Sequence, residues 1–143
     1  MRHYPIYLDL KDQPVLVIGA GKVALRKTQG LLDAGARVTV VAPQWDAAFL
    51  KLPVRLVRRR FQGSDLAGAI LVFAATDDRR TNHRIGIAAK ARGILANIAD
   101  SADECGFLVP ARLERDGVQI AVSTGGVSPR LAAEMRRKLE EIL

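Results

Sequence analysis

Residues 15–24 read VLVIGAGKVA, and this stretch determines the expected fold. Its first four residues form a short, continuous apolar run, which is typical of a parallel strand covered on both faces. The glycine motif that follows has the form G-x-G-x-x-A, with Gly19, Gly21 and Ala24 at its defined positions. The first glycine allows a tight turn, the second lets a pyrophosphate approach the backbone, and the small third residue lets a helix pack closely on the strand. Because the motif lies between a strand and a helical pattern, it favours a dinucleotide site over a plain tight turn.

The rest of the first hundred residues alternates between strand and helix patterns. Further strands are expected at residues 37–41, 53–57, 70–73 and 94–98. A first helix places Val23, Lys27, Leu31 and Ala34 on one face, and a second helix, begun by Asp78, places Ile85, Ala88, Ala89 and Arg92 on one face. This alternation predicts an α/β protein of the Rossmann type: an open, mostly parallel sheet with helices on both faces.

The last forty residues depart from this alternation. Apolar runs at 107–109 and 118–122 flank an Asp116-Gly117 turn and predict a C-terminal hairpin. Ser128 and Pro129 then predict the start of a terminal amphipathic helix, whose apolar positions are Leu131, Met135 and Leu139. We therefore expect an NAD-binding domain at residues 1–113 and a dimerisation region at 114–143.

The chain is basic, with 22 Lys and Arg against 15 Asp and Glu, a net charge of +7. This excess indicates an anionic partner: nucleic acid, a phosphorylated cofactor or a substrate rich in carboxylates. Aromatic residues are only 5% of the chain, too few for the stacking surfaces of a nucleic-acid-binding protein. We interpret the run Arg58-Arg59-Arg60 as a solvated basic face.

Cysteine usage gives no indication of export, and the scattered histidines and cysteine argue against a metal site. Cys105 is the only cysteine, so no internal disulfide is expected. No apolar run reaches the roughly 20 residues that span a bilayer, and the first ten residues lack a signal-peptide core. His3, His83 and Cys105 are too scattered to form a metal site. We expect a cytoplasmic protein.

Four further segments lie at expected strand ends or helix starts. The second strand ends in VAPQ at 41–44, without the carboxylate that holds the ribose of NAD and without an adjacent arginine, so the residues do not choose NAD over NADP. Thr76-Asp77-Asp78 fits either a cofactor contact or a helix start. Asp100, after the fifth strand, fits either a general base or a loop aspartate that bonds its own backbone. The loop at 123–126 precedes a helix start and could receive an anion.

Seven stretches of the sequence together resemble the siroheme synthases, a family of precorrin-2 dehydrogenases and sirohydrochlorin ferrochelatases. They are YPIYLDL (4–10), VIGAGKVALRK (17–27), LLDAGARVTVVAP (31–43), AATDD (74–78), NIAD (97–100), FLVP (107–110) and STGGVSP (123–129). The matches run in order over essentially the whole chain, which makes them far more specific than the glycine motif. They correspond to the N-terminal NAD-binding portion of the family, whose members typically continue into a further helical region.

The resemblance implies NAD-dependent oxidation of precorrin-2 to sirohydrochlorin and, in bifunctional members, insertion of Fe²⁺ as a substrate. It implies a homodimer and a preference for NAD over NADP, and it makes Asp100 the catalytic residue. The phosphorylatable serine of some members falls on Thr124. The expected cofactor-binding residues are Gly19, Gly21, Lys22, Val23, Ala24, Ala42, Pro43, Thr76 and Asp77. The expected substrate-binding residues are Asn97, Ser123, Thr124, Gly125 and Gly126. The alternative hypothesis is an NAD-binding module that senses redox state without catalysis.

Overall fold

Five short strands form one parallel sheet in the computed structural model, which describes residues 1–143. The strands are β1 (Pro14–Ile18), β2 (Arg37–Ala42), β3 (Arg55–Arg58), β4 (Leu71–Ala74) and β5 (Leu95–Ile98). Their order in the sheet is β3-β2-β1-β4-β5. From the central strand β1 the chain adds β2 and β3 on one side, and it then crosses to add β4 and β5 on the other side. The sequence-predicted Rossmann-type sheet is confirmed, and its reversal of direction lies between β1 and β4.

Two helices cover opposite faces of this sheet. Helix α2 (Arg79–Ala91) buries Ile85 and Ala89 among alternate residues of the strands, including Leu16 and Ile18. Helix α1 (Lys22–Asp33) joins β1 to β2, which lie side by side in the sheet. Because parallel crossovers are right-handed and the two helices connect strands in opposite directions, they lie on opposite faces. Short 3₁₀ helices at Ala47–Lys51, Gly63–Leu66 and Ala102–Glu104 complete the connections.

The buried side of α1 differs from the predicted one. The helix buries Ala24, Thr28 and Leu31, whereas Val23 and Ala34 are exposed. The physical reason lies in the glycine motif, because its small third residue, Ala24, is fully buried and so fixes the rotation of the helix on the sheet.

The C-terminal elements form a second unit. The chain divides into residues 6–106 and a unit made of 1–5 with 107–143, so the compact units separate before the expected boundary at 113/114. The second unit holds β6 (Ala111–Arg115), β7 (Val118–Val122) and α3 (Pro129–Ile142). Helix α3 packs on both strands, and Ser128 caps it as predicted, accepting a hydrogen bond from the Leu131 amide at 3.2 Å. No helix of the structure has the length and apolarity needed to cross a membrane.

The hairpin confirms the predicted turn but corrects the first strand. Asp116 and Gly117 have φ values of 52° and 78°, the pair of positive angles that a two-residue type I′ turn requires. This turn pairs Arg115 with Val118 and so places the strand at Ala111–Arg115 rather than at the predicted 107–109. Residues 107–109 are apolar, but a two-residue turn requires the strand to end directly before it, at Arg115.

Asp65 stabilises the connection between β3 and β4. Its carboxylate accepts hydrogen bonds from Arg59 Nη1 and from the Gln62 amide, both at 2.8 Å, and the side chain is only 8% exposed. The Arg59 hydrogen bond holds the pKa of Asp65 below its ordinary value of 3.8, although burial acts against it. Because this pKa is lower in the folded state, the stabilisation is present above pH ~3.8 and is lost as the pH falls through the folded-state pKa.

We expect Asp65→Asn to lower the free energy of unfolding by about 1–3 kcal/mol at neutral pH. The loss should shrink as the pH falls below ~4, because the wild type then loses the same interaction. Urea unfolding followed by circular dichroism at several pH values measures both effects. Glu114→Gln, at an exposed position of β6 with no ion pair, is the matched control. A difference between Asp65→Asn and wild type that does not change with pH would contradict this role.

Candidate functional site

Three loops are joined by hydrogen bonds at the carboxyl edge of the sheet. The Gly19 amide, in the loop after β1, donates to the Val41 carbonyl of β2 at 2.9 Å. The Asp46 amide, in the loop after β2, donates to the Ala20 carbonyl at 2.9 Å. The Ala75 amide, after β4, donates to the Ile18 carbonyl of β1 at 2.8 Å. These hydrogen bonds connect the three loops to one another and to β1 and β2. The loops lie at the point where the strand order reverses, which is where open α/β sheets bind ligands.

Gly19 is required by the fold itself. It has a φ of +104°, a value that L side chains rarely adopt. A Cβ atom at this position would lie 2.3 Å from the Ala75 carbonyl oxygen, well inside van der Waals contact. The first glycine of the motif therefore allows the loops after β1 and β4 to touch.

Gly21 has the opposite surroundings. A Cβ atom there would meet no atom within 4 Å, and its φ of −89° and ψ of −167° suit any residue. It is the N-cap of α1, where no side chain caps the helix and the first turn has no acidic residue. The helix therefore presents its positive end beside an open stretch of backbone, which fits the pyrophosphate of a dinucleotide. Lys22 and Val23, also predicted to bind the cofactor, are exposed next to it.

The end of β2 carries a feature that the sequence did not reveal. Ala42 is buried and Pro43 exposed, and no carboxylate occupies either position. Arg58, the last residue of β3, is the register partner of Ala42, and its guanidinium lies 5.2 Å from the centre of the Trp45 ring. An arginine thus stands beside the end of β2, although none is adjacent to it in sequence. Only the pairing of β2 with β3 brings it there.

The turn after β4 is built around a buried amide. Asn82 of α2 is fully buried; its Oδ1 accepts from the Thr76 amide and hydroxyl, and its Nδ2 donates to the Thr76 carbonyl at 3.1 Å. Asp78 caps α2 as predicted, and a hydrogen bond from the Thr81 hydroxyl lowers its pKa. The Thr76 side chain is thereby committed to the turn, while Asp77 is exposed without an ion pair. The sequence signal for this role is that Asn82 is a polar residue three positions before Ile85, on the apolar face of α2.

Asp100 lies where β5 ends, next to the end of β4. The Ala99 amide donates to the Ala74 carbonyl at 2.9 Å, which places this turn at the same edge of the sheet. The Asp100 carboxylate is 38% exposed, and its Oδ1 accepts a hydrogen bond of 2.7 Å from Arg79 Nη1. Arg79 also binds Glu104, whose other oxygen lies 3.2 Å from His83 Nδ1. The first turns of α2 therefore orient Asp100, a role for Arg79 that no sequence pattern indicated.

Asn97, expected to bind substrate, is buried beneath this turn. Its Nδ2 lies 3.7 Å from Cys105 Sγ, which in turn accepts from the Ile98 amide at 3.1 Å. Burial raises the pKa of the Cys105 thiol above its ordinary value. These contacts support the turn that carries Asp100. A contact between Asn97 and a substrate stays a prediction.

The loop at 123–126 belongs to the second unit. Gly125 and Gly126 have φ values of 66° and 84°, and the Gly125 amide donates to Ser123 Oγ at 3.1 Å. The Thr124 hydroxyl accepts from the Ser128 amide at 2.9 Å and donates to its carbonyl oxygen at 3.0 Å. The Thr124 side chain is therefore engaged in the turn that starts α3. The expected site residues thus fall in both units, with Ser123, Thr124, Gly125 and Gly126 in the second and the others in the first.

Both the N-terminal and the C-terminal part of the chain match known protein families. Residues 6–111 match a family described as putative NAD(P)-binding, and residues 115–142 match the central part of sirohaem biosynthesis proteins. The siroheme synthase of Methylococcus capsulatus is 44% identical over 144 residues, which covers 98% of this chain and 30% of that protein. The siroheme synthase of Ectopseudomonas mendocina is 44% identical over 142 residues, 98% of this chain and 31% of that protein. The chain thus spans about a third of the length of these relatives.

A solved structure titled SirC, precorrin-2 dehydrogenase superposes with a TM-score of 0.82 at 32% identity, over 99% of this chain and 71% of that one. The sheet, the glycine loop and the open start of α1 define a dinucleotide-binding fold of the Rossmann class. Within that class, the chain belongs to the family of siroheme synthases and precorrin-2 dehydrogenases. The resemblance noted in the sequence is confirmed.

Proposed function

We propose that this chain catalyses the NAD-dependent oxidation of precorrin-2 to sirohydrochlorin in siroheme synthesis. One observation carries the proposal: an oriented, solvent-accessible carboxylate, Asp100, lies at the same sheet edge as the open backbone at Gly21. Relatives named siroheme synthase and precorrin-2 dehydrogenase support it.

The residues at the carboxyl edge of the sheet have separate roles in the proposed reaction. When bound, NAD⁺ supplies a hydride acceptor. The glycine loop and the start of α1 bind its pyrophosphate, and the end of β2 receives its adenosine half. The carboxylate of Asp100 accepts the proton that leaves the substrate as the hydride departs, and Arg79 holds that carboxylate in place. The proposed cofactor contacts are Gly19, Gly21, Lys22, Val23, Ala42, Pro43, Thr76 and Asp77. Ala24, which is fully buried, completes the glycine motif by letting α1 pack closely on the sheet.

The substrate class accounts for the charge of the chain. Precorrin-2 carries many carboxylates, and a net charge of +7 attracts such an anion. The paired glycines at 125–126 add no side chains of their own to this loop, which leaves room for an anionic group beside its backbone. Asn97 and the 123–126 loop are the proposed substrate contacts. Insertion of Fe²⁺, the second reaction of bifunctional siroheme synthases, displaces two pyrrole N–H protons, and in this proposal the Asp100 carboxylate accepts those protons as well.

The decisive experiment is anaerobic incubation of the chain with precorrin-2 and NAD⁺. We expect NADH and sirohydrochlorin to appear together, in equal amounts, and a parallel sample with added Fe²⁺ tests for siroheme. A redox-sensing module gives a different result: NAD binds, but precorrin-2 changes neither its absorbance nor its redox state. That outcome would overturn the proposed reaction and favour the sensor.

The proposal includes a homodimer formed through α3 in the cytoplasm, where a lone thiol such as Cys105 stays reduced. Leu131 and Met135 are exposed on α3, whereas Leu139, expected on the same surface, is half-buried. We expect light scattering to report a dimer at tens of micromolar, roughly the range in which a specific interface persists. The double change Leu131→Glu with Met135→Glu should yield a monomer. Ile87→Glu, at an exposed apolar position of α2, is the matched control, and a monomeric wild type would contradict the assignment.

A further inference from the structure

The three arginines that end β3 differ in their contacts, although they look alike in sequence. Arg59 is held by Asp65, and its hydrogen bonds to that carboxylate occupy its guanidinium. Arg60 is exposed and makes no ion pair. Arg58 also lacks a carboxylate partner, but its guanidinium lies over the Trp45 ring, 5.2 Å from the ring centre. Of the three, Arg58 alone is both held in place and free of a neutralising charge.

The position of Arg58 follows from the sheet. Val57 packs on the core cluster beneath α2, and successive residues of a strand face opposite sides. Arg58 therefore faces the side covered by α1, whose first turn forms the open backbone at Gly21. Its register partner Ala42 ends β2, the point where dinucleotide-binding folds contact the ribose 2′ position.

The side chain beside the end of β2 is positively charged, whereas an NAD-selective site has a carboxylate there. A carboxylate at the end of β2 would bind the two ribose hydroxyls and repel a 2′-phosphate. Asp46 is the one acid in this loop, and its Oδ1 accepts from the Ala48 amide at 2.9 Å, so it caps the 3₁₀ helix that follows. The free cation at the site is Arg58, and a planar guanidinium suits a phosphate geometrically as well as electrostatically.

We infer that Arg58, seated on Trp45, forms a binding site for the 2′-phosphate of a dinucleotide, so that this chain accepts NADP as well as NAD. This inference rests on the proposed binding of NAD at the same edge. It revises the expectation of a simple preference for NAD: we expect NADP to bind within about tenfold of NAD, whereas a carboxylate in this position discriminates by about a hundredfold or more.

Calorimetric titration of the apoprotein with NAD⁺ and with NADP⁺ tests this. We expect Arg58→Ala to weaken NADP binding by about tenfold or more, because a charge-assisted phosphate contact is lost, and to change NAD binding by less than about twofold. Arg60→Ala, the exposed neighbour, is the matched control and should change neither. Trp45→Leu should produce part of the Arg58 effect by releasing the guanidinium.

The outcomes separate this inference from the proposed function. If NAD binds but Arg58→Ala leaves the NADP affinity unchanged, the 2′-phosphate site is wrong and the dehydrogenase proposal stands. If wild type excludes NADP and Asp46→Asn admits it, the ribose is bound by Asp46, and the inference is overturned. If neither nucleotide binds, both are overturned.

Discussion

Asp100→Asn should reduce NADH production from precorrin-2 by about a hundredfold or more while leaving NAD affinity unchanged. An asparagine keeps the oxygen that accepts the hydrogen bond from Arg79, so the turn and the α2 contact should persist. What it loses is the ability to accept a proton. The expected loss is therefore confined to the chemical step and should be seen as a lower kcat with little change in nucleotide Kd.

Asp103→Asn provides the control for this variant. Asp103 lies three residues further on, is exposed and forms no ion pair, so its change should leave turnover unaltered. Circular dichroism and calorimetry with NAD⁺ establish that both variants fold and bind the nucleotide. Should the wild type insert Fe²⁺, Asp100→Asn should depress that reaction too, since in the proposed mechanism both reactions send protons to this carboxylate. Near wild-type NADH production by folded Asp100→Asn would remove this residue from the mechanism.

Gly21→Val should abolish NAD binding in a protein that still folds. The backbone angles at Gly21 suit a branched residue, and the new side chain would meet no protein atom nearby. It would instead occupy the space from which a pyrophosphate approaches the start of α1. Titration calorimetry should therefore show no heat of NAD binding, while the melting temperature falls by only a few degrees, as expected for a poorer N-cap residue.

Gly19→Val should show the opposite pattern. Its side chain would collide with the Ala75 carbonyl and would force a positive φ on a branched residue, so we expect a protein that is poorly folded even without ligand. The two variants thus distinguish Gly19, which the fold requires, from Gly21, which is proposed to bind NAD. Unchanged NAD affinity in Gly21→Val would show that the nucleotide does not lie over this loop.

Local patterns predicted most of the fold because the relevant physics is local. The apolar run before Gly19, the Asp78 and Ser128 caps and the two-residue turn at Asp116 each depend on neighbours within a few residues, and each is found as predicted. The first hairpin strand lies at Ala111–Arg115 and not at the apolar run 107–109, because the two-residue turn determines where the strand ends. The position of this strand follows from the turn at Asp116-Gly117, because the strand must end at the residue directly before it.

The candidate site was less predictable because its remaining parts come from distant segments. Arg58 reaches the end of β2 only through strand pairing, and Arg79 reaches Asp100 across 21 residues of sequence. Neither arginine belongs to a pattern that distinguishes it from the other basic residues of the chain. Asn82 is different, because an amide on the apolar face of a predicted helix must find hydrogen-bond partners inside the protein.

The hydrogen bonds that join the loops after β1, β2 and β4 affect how a ligand is received. Loops whose amides are already hydrogen-bonded in the free protein have less conformational freedom to lose when a nucleotide binds, so less of the binding energy is spent on ordering them. We therefore expect the nucleotide to bind to a largely preformed site at this edge. Its speed should be governed by diffusion and by the attraction of opposite charges rather than by a slow closing of the backbone.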